Sequence, residues 1–171
     1  MGSRAAHAYN RHMHFVVITI SDRCSDGEQV DTAGPAVIGV LRREWPQTEI
    51  ETALLRDDEF AIAVKLEESC ADGSALVLTV GGTGMSPRDR TPEATRRVLE
   101  REAPGLAEAM RAKGAENNQY AWLSRGAAGL RGNTLIVNLP GSKRGAEESL
   151  EAIVPLLRHA LDVAAGGQNH P

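Results

Sequence analysis

Short, uniformly apolar runs alternate along the chain with longer stretches in which apolar positions recur every three or four residues. Phe15 to Ile20, Ala75 to Val80 and Thr134 to Leu139 are the runs, and each reads as a strand covered on both faces. Glu49 to Leu55 is a further strand candidate. Between them, Val37, Ile38, Leu41 and Trp45 follow helical spacing, with Pro35 expected at the first helical position and Pro46 as the stop. Ile62, Ala63, Leu66 and Cys70 predict a second helix, opened by Asp57-Asp58 as a cap and closed by Gly73. Two more helical stretches are expected near 92–102 and 104–112. A long one follows Lys143, with Ala146, Leu150, Ile153, Val154, Leu157 and Leu161 on its stripe and a kink expected at Pro155. Residues 119–132, with glycines at 126, 129 and 132, suit a small hairpin.

Strands alternating with helices predict an α/β fold whose central sheet is mostly parallel and covered on both faces. In such sheets ligands bind beyond the carboxyl ends of the strands. The loops leaving those ends, at 21–33, 56–58, 81–90 and 140–144, hold most of the unusual chemistry in the chain.

Composition narrows the picture. The 171 residues suit one domain, assigned to 14–165, with 1–13 read as a leader or disordered extension and 166–171 as a C-terminal tail. With 42% hydrophobic and 25% charged residues the chain reads as an ordinary globular protein. A net charge of −4 argues against a nucleic-acid partner, and no apolar run approaches the roughly 20 residues of a membrane span. Cys24 and Cys70 lie far apart, which supports neither a zinc site nor a disulfide framework and fits a reduced, cytoplasmic setting.

Gly81-Gly82-Thr83-Gly84 can take positive φ and turn consecutive amides toward an anion, although a tight turn after a strand explains the same residues. It is neither a Walker A loop nor GxGxxG. The continuation through Arg88, Asp89 and Arg90 to Thr91-Pro92-Glu93 places cations and a carboxylate before a helix N-terminus. A phosphate would repel Asp89 unless a cation such as Mg²⁺ lay between them, whereas a surface Asp near a helix start is the plain alternative. Asp58 reads locally as an N-cap, and Ser21 and Asp31 as residues that satisfy turn backbone. Pro140-Gly141-Ser142-Lys143-Arg144 is a second candidate anion site, since positive charge at a helix N-terminus opposes the helix dipole. Trp45 belongs to a core stripe; Tyr120 and Trp122 are undecided between stacking and packing, and no histidine has ligand spacing.

Taken in order, Ile20-Ser21-Asp22-Arg23, Asp31-Thr32-Ala33-Gly34-Pro35, Thr79 to Gly84, Arg88-Asp89, Thr91-Pro92-Glu93-Ala94 and Asn138 to Lys143 resemble the MogA/MoaB family and the G domain of gephyrin, from about Phe15 to Asp162. The resemblance implies a three-layer α/β/α sandwich, usually a homotrimer, in molybdenum cofactor biosynthesis. It implies Mg²⁺-dependent transfer of AMP from ATP to molybdopterin, or, in MoaB-like members, molybdopterin binding without that reaction. By position, Asp58 and Asp89 look like the two acids tied to activity and metal. Gly81, Gly82, Thr83 and Gly84 look like the main ligand loop, and Ser21, Asp31 and Ser142 like further pocket residues. Arg88, Pro140, Gly141 and Lys143 complete the expected binding set, with Arg88 or Lys143 offsetting transition-state charge. Family members often carry Asp-x-Ser-Gly where this chain has Asp31-Thr32-Ala33-Gly34, which removes a hydroxyl from the first loop. A separate molybdate-insertion protein is the implied recipient of the product.

Overall fold

The sheet is built outward from its first strand. The computed structural model describes residues 13–167. In it β1 (His14–Ile20) pairs in parallel with β2 (Glu49–Leu55) on one side and β3 (Leu76–Val80) on the other. β6 (Thr134–Leu139) continues the parallel set beyond β3. β5 (Ala128–Arg131) then runs antiparallel to β6, and the two-residue β4 (Arg101–Glu102) antiparallel to β5, giving the order β2-β1-β3-β6-β5-β4.

The apolar runs are continuous because each faces two cores. Phe15 and Val17 of β1, Leu76 and Leu78 of β3 and Leu135 and Val137 of β6 join one cluster. Beyond the one-turn helix α1 (Asp22–Ser25), it is closed by α2 (Ala33–Glu44), α5 (Pro104–Ala115) and α6 (Lys143–Ala164). The alternate residues Val16, Ile18, Val77 and Ile136 join the other, under α3 (Glu59–Ala71) and α4 (Thr91–Val98). Successive strand side chains point to opposite faces, so a strand between two helical layers is apolar at every position. The edge strand β2 lacks that double cover and mixes exposed with half-buried residues. Trp45 is buried, its ring edge-on to Phe15 with centroids 5.6 Å apart and the Arg158 guanidinium 5.1 Å from its own centroid.

Several element boundaries differ from the sequence expectation. α2 begins at Ala33, two residues before Pro35, because the Asp31 carboxylate accepts the Ala33 and Gly34 N–H groups at 3.0 and 2.9 Å. The helix expected over 92–102 stops at Val98, and Arg101–Glu102 adds to the sheet edge instead. The hairpin expected near 119–132 forms further along, between β5 and β6, where Gly132 takes φ +55° in the connecting turn. Gln119–Leu123 is a 3₁₀ helix, opened by the Asn118 side chain accepting from Tyr120 N–H at 3.1 Å. α6 runs as one helix through Pro155, which lies on its exposed side. Of the expected leader, only Met13 lies within the described residues; its carbonyl accepts Glu49 N–H at 3.1 Å, and it packs on the first core. The expected tail falls largely outside them, after Gly166 ends the helical region at φ +90°. Among the described residues no helix is long and apolar enough to cross a membrane.

Candidate active site

β1, β3 and β6 run parallel, so their carboxyl ends open on one edge, and the turns there are set by glycine. Gly81 takes φ +111°, and a Cβ on it would stand 2.3 Å from the Ile20 carbonyl oxygen. Gly82 takes φ +64°, and a Cβ there would stand 2.2 Å from Thr91 Oγ1 and 2.9 Å from Asp57 Oδ1. Only glycine allows both the left-handed backbone and the approach of these neighbours. The loop then returns to α4, whose first N–H, on Thr91, donates to the Gly82 carbonyl at 3.2 Å.

Two clefts meet at this loop. The larger, about 650 Å³, runs from Thr83 and Gly84 past Arg111 and Tyr120 to Pro140 and Gly145. The second, about 610 Å³, is bounded by Ser21, Asp22, Asp31, Asp57 and Gly81. Gly82, Asp89, Gly141 and Ser142 line both. Ser142 caps α6, its hydroxyl accepting Gly145 N–H at 3.2 Å, so the N-terminus of a 22-residue helix borders the shared ground.

Carboxylates crowd the second cleft. Asp22 and Asp57 hold each other reciprocally: Asp22 N–H donates to Asp57 Oδ2 at 3.2 Å, and Asp57 N–H to Asp22 Oδ1 at 3.1 Å. Arg88 donates to Asp22 Oδ2 from Nη2 at 2.6 Å and from Nε at 3.0 Å, which holds the Asp22 carboxyl below its usual range. Asp57 behaves oppositely. Burial pushes its carboxyl up, the charges of Asp22 and Asp89 push it further, and the Asp22 N–H acts against them. Its Oδ1 is buried with no hydrogen-bond partner among the described residues.

Most of the expected site residues converge. Ser21, Asp31 and Gly81 border the second cleft, Thr83, Gly84 and Pro140 the first, and Gly82, Asp89, Gly141 and Ser142 both. Ser21 and Asp31 also carry structural duties, Ser21 accepting from Cys24 N–H at 3.2 Å and Asp31 from Thr19 Oγ1 at 2.7 Å. Three expected residues lie outside the walls of both clefts. Asp58 lines neither cleft; it is exposed and caps α3, its Oδ1 accepting Ala61 N–H at 2.8 Å, and the preceding Asp57 occupies the cleft instead. Lys143 is exposed and lines neither cleft, because the helical turn after Ser142 carries Arg144 and Gly145 to the wall and leaves residue 143 off it. Arg88 is engaged with Asp22 and lines neither cleft.

Comparison with known proteins identifies the architecture. Residues 16–159 match a family described as a probable molybdopterin binding domain. The chain belongs to this molybdopterin-binding family. A molybdopterin adenylyltransferase of Helicobacter pylori J99 is 36% identical, with 90% of this chain and 89% of that protein aligned. The molybdenum cofactor synthesis protein cinnamon of Drosophila melanogaster is 40% identical over 86% of this chain, which spans only 25% of that longer protein. The crystal structure of the molybdopterin biosynthesis enzyme MoaB from Thermus thermophilus superposes with a TM-score of 0.83 at 47% identity, covering 90% of this chain and 97% of that one. The mixed α/β fold with its mostly parallel sheet is that of these family members.

Three residues bonded at or beside the clefts carry no local sequence signal that marks them. Asp57 was hidden by its neighbour, since either half of an Asp-Asp pair before a helix reads as the cap. Asp22 lay inside the quoted Ile20 to Arg23 string, and its bond to Arg88 spans 66 positions. Arg125 reaches the glycine loop from the far side of the chain, with no local pattern to announce it.

Proposed function

We propose that the chain transfers AMP from ATP to molybdopterin, releasing pyrophosphate, with Mg²⁺ as cofactor. The observation that carries this reading is the pair of clefts joined on Gly82, Asp89, Gly141 and Ser142. A condensation between two phosphorylated molecules needs two seats that share one floor, so that the attacking and receiving phosphates are brought into line. A terminal phosphate oxygen of molybdopterin attacks the α-phosphorus of ATP; the bond from that phosphorus to the bridging oxygen breaks, and pyrophosphate leaves with its electron pair.

The chain's own groups position and neutralise. Amides of the glycine loop and the start of α6 face phosphate oxygens, as helix N-termini and positive-φ turns do for anions. Asp57 and Asp89 are the residues that would hold Mg²⁺. The buried, unpartnered Asp57 Oδ1 suits a cation, and Mg²⁺ is commonly held by one or two carboxylates with phosphate oxygens completing the shell. Among the described residues no group of three or more His, Cys, Asp or Glu side chains is arranged to hold a metal ion unaided. When bound, it would neutralise charge on the reacting phosphates.

The reading extends to a cytoplasmic homotrimer that passes its product to a molybdate-insertion protein. Exposed apolar side chains such as Val30, Leu54 and Phe60 are surface that assembly could cover, and sedimentation at three chain masses is the expected result. The decisive assay incubates the protein with molybdopterin, ATP and Mg²⁺ and measures pyrophosphate and adenylyl-molybdopterin. Both products are expected, and Asp89→Asn should slow their formation at least about tenfold. Pterin binding without either product would leave a MoaB-like binding protein.

A further inference from the structure

Arg125, in the segment between the 3₁₀ helix and β5, bonds through four groups, two of them to the glycine loop, one to the turn that follows and one to α4. Its N–H donates to the Thr83 carbonyl at 2.9 Å, Nε to the Gly84 carbonyl at 2.7 Å and Nη2 to the Asp89 carbonyl at 2.5 Å, while Nη1 pairs with the Glu93 carboxylate. Gly84 and Asp89 are the two ends of the exposed turn that carries the Asp89 side chain. Within that turn the carboxylate is itself held by Ser86 N–H, 2.8 Å from Oδ2. The position of the Asp89 carboxylate thus depends on the shape of the turn, and one guanidinium ties the carbonyls at both ends. Glu93, in the first turn of α4, anchors that guanidinium to a helix buried against the second core.

We propose that Arg125 is a positioning residue for adenylyl transfer, bracing the 84–89 turn so that the Asp89 carboxylate is held where the two clefts meet. This rests on the adenylyltransferase reading above. The planar fork is what the task requires: it can donate to two carbonyls and a carboxylate at once, whereas a lysine ammonium is a single point charge on a flexible stem. Small displacements of a group aligned with reacting phosphates are costly, a shift of about 1 Å being worth up to about 100-fold in rate.

The test uses the whole chain with Arg125→Gln and Arg125→Lys. Both variants should lose about tenfold or more in kcat for pyrophosphate release, with KM for ATP and molybdopterin changed less than about threefold, and lysine should not rescue. In an Asp89→Asn background, Arg125→Gln should add less than about twofold, because its effect passes through the same carboxylate. Independently of turnover, trypsin should cut the native protein after Arg88 faster in Arg125→Gln than in the wild type at a temperature well below unfolding. Unchanged kcat in an active protein, or full multiplication of the two substitutions, would overturn the proposal while leaving adenylyl transfer intact. An inactive wild type would sink the adenylyl-transfer reading, and unchanged cleavage after Arg88 would rule out the brace whatever the turnover. Should Arg125→Gln fail to fold, Arg125→Lys carries the same comparison.

Discussion

Asp57 and Asp58 are chain neighbours whose carboxylates face different surroundings. The Asp58 side chain points along α3 and satisfies Ala61 N–H, so Asp58→Ala should cost about 0.5–2 kcal/mol of stability in denaturant unfolding, as loss of an N-cap does. Asp57→Asn should instead abolish most turnover if Asp57 holds the cation. The same substitution carries a stability signature. Burial raises the Asp57 carboxyl in the folded state, so the folded protein binds that proton more tightly than the unfolded chain. Stability from this group is therefore complete below the ordinary value of 3.8 and is lost as pH rises through the raised folded value. Asp57→Asn should unfold at a higher temperature than the wild type at pH 7 without Mg²⁺, and the gap should narrow as the solution is acidified. A gap that widens on acidification would contradict the burial argument. Asp22 has the opposite sign: its pairing with Arg88 stabilises at neutral pH and is lost as pH falls through its lowered value.

At the scale of elements, the turn after β3 is where sequence and geometry constrain each other most. Gly81→Ala would place a methyl 2.3 Å from the Ile20 carbonyl at φ +111°, so backbone must move, and a loss of at least about 1–3 kcal/mol is expected in denaturant unfolding. The parallel strands were legible because a strand buried on both faces leaves an unmistakable apolar run, and Phe15 to Ile20 shows it. The 3₁₀ helix was not, because Gln119–Leu123 has no period of its own and owes its start to one Asn118 side chain. The glycines at 126, 129 and 132 suggested a hairpin in roughly the right place, but only Gly132 makes the turn; Gly129 lies within β5, where a Cβ would meet the Arg101 carbonyl at 2.4 Å. Likewise the glycine loop and Ser142 of the motif strings border the clefts, whereas Lys143 lies one helical step off the wall. Which of two adjacent residues faces a cleft, and which distant arginine braces a loop, are properties of tertiary packing that local pattern does not carry.

Seen whole, the molecule is a sheet with a helical layer on each face and a binding edge formed where loops from both sides of the central strands meet. Asn138 ties those parts together beneath the edge. Its amide nitrogen donates to Thr79 Oγ1 at 2.9 Å and Thr95 Oγ1 at 2.8 Å, and its oxygen accepts Ala127 N–H at 3.0 Å, joining β6, β3, α4 and the approach to β5. Such a satisfied buried network makes the edge rigid, as alignment of two substrates demands. The common floor of the two clefts has a consequence for what happens after the reaction. A joined molecule spanning both clefts surrenders its freedom of motion once, where two separate substrates surrender theirs twice, so its residence time should exceed that of either parent. On that account the proposed reaction should end in slow release of its product. Escape of the product would then limit the cycle, and a downstream protein able to draw it out would quicken turnover without touching the chemistry.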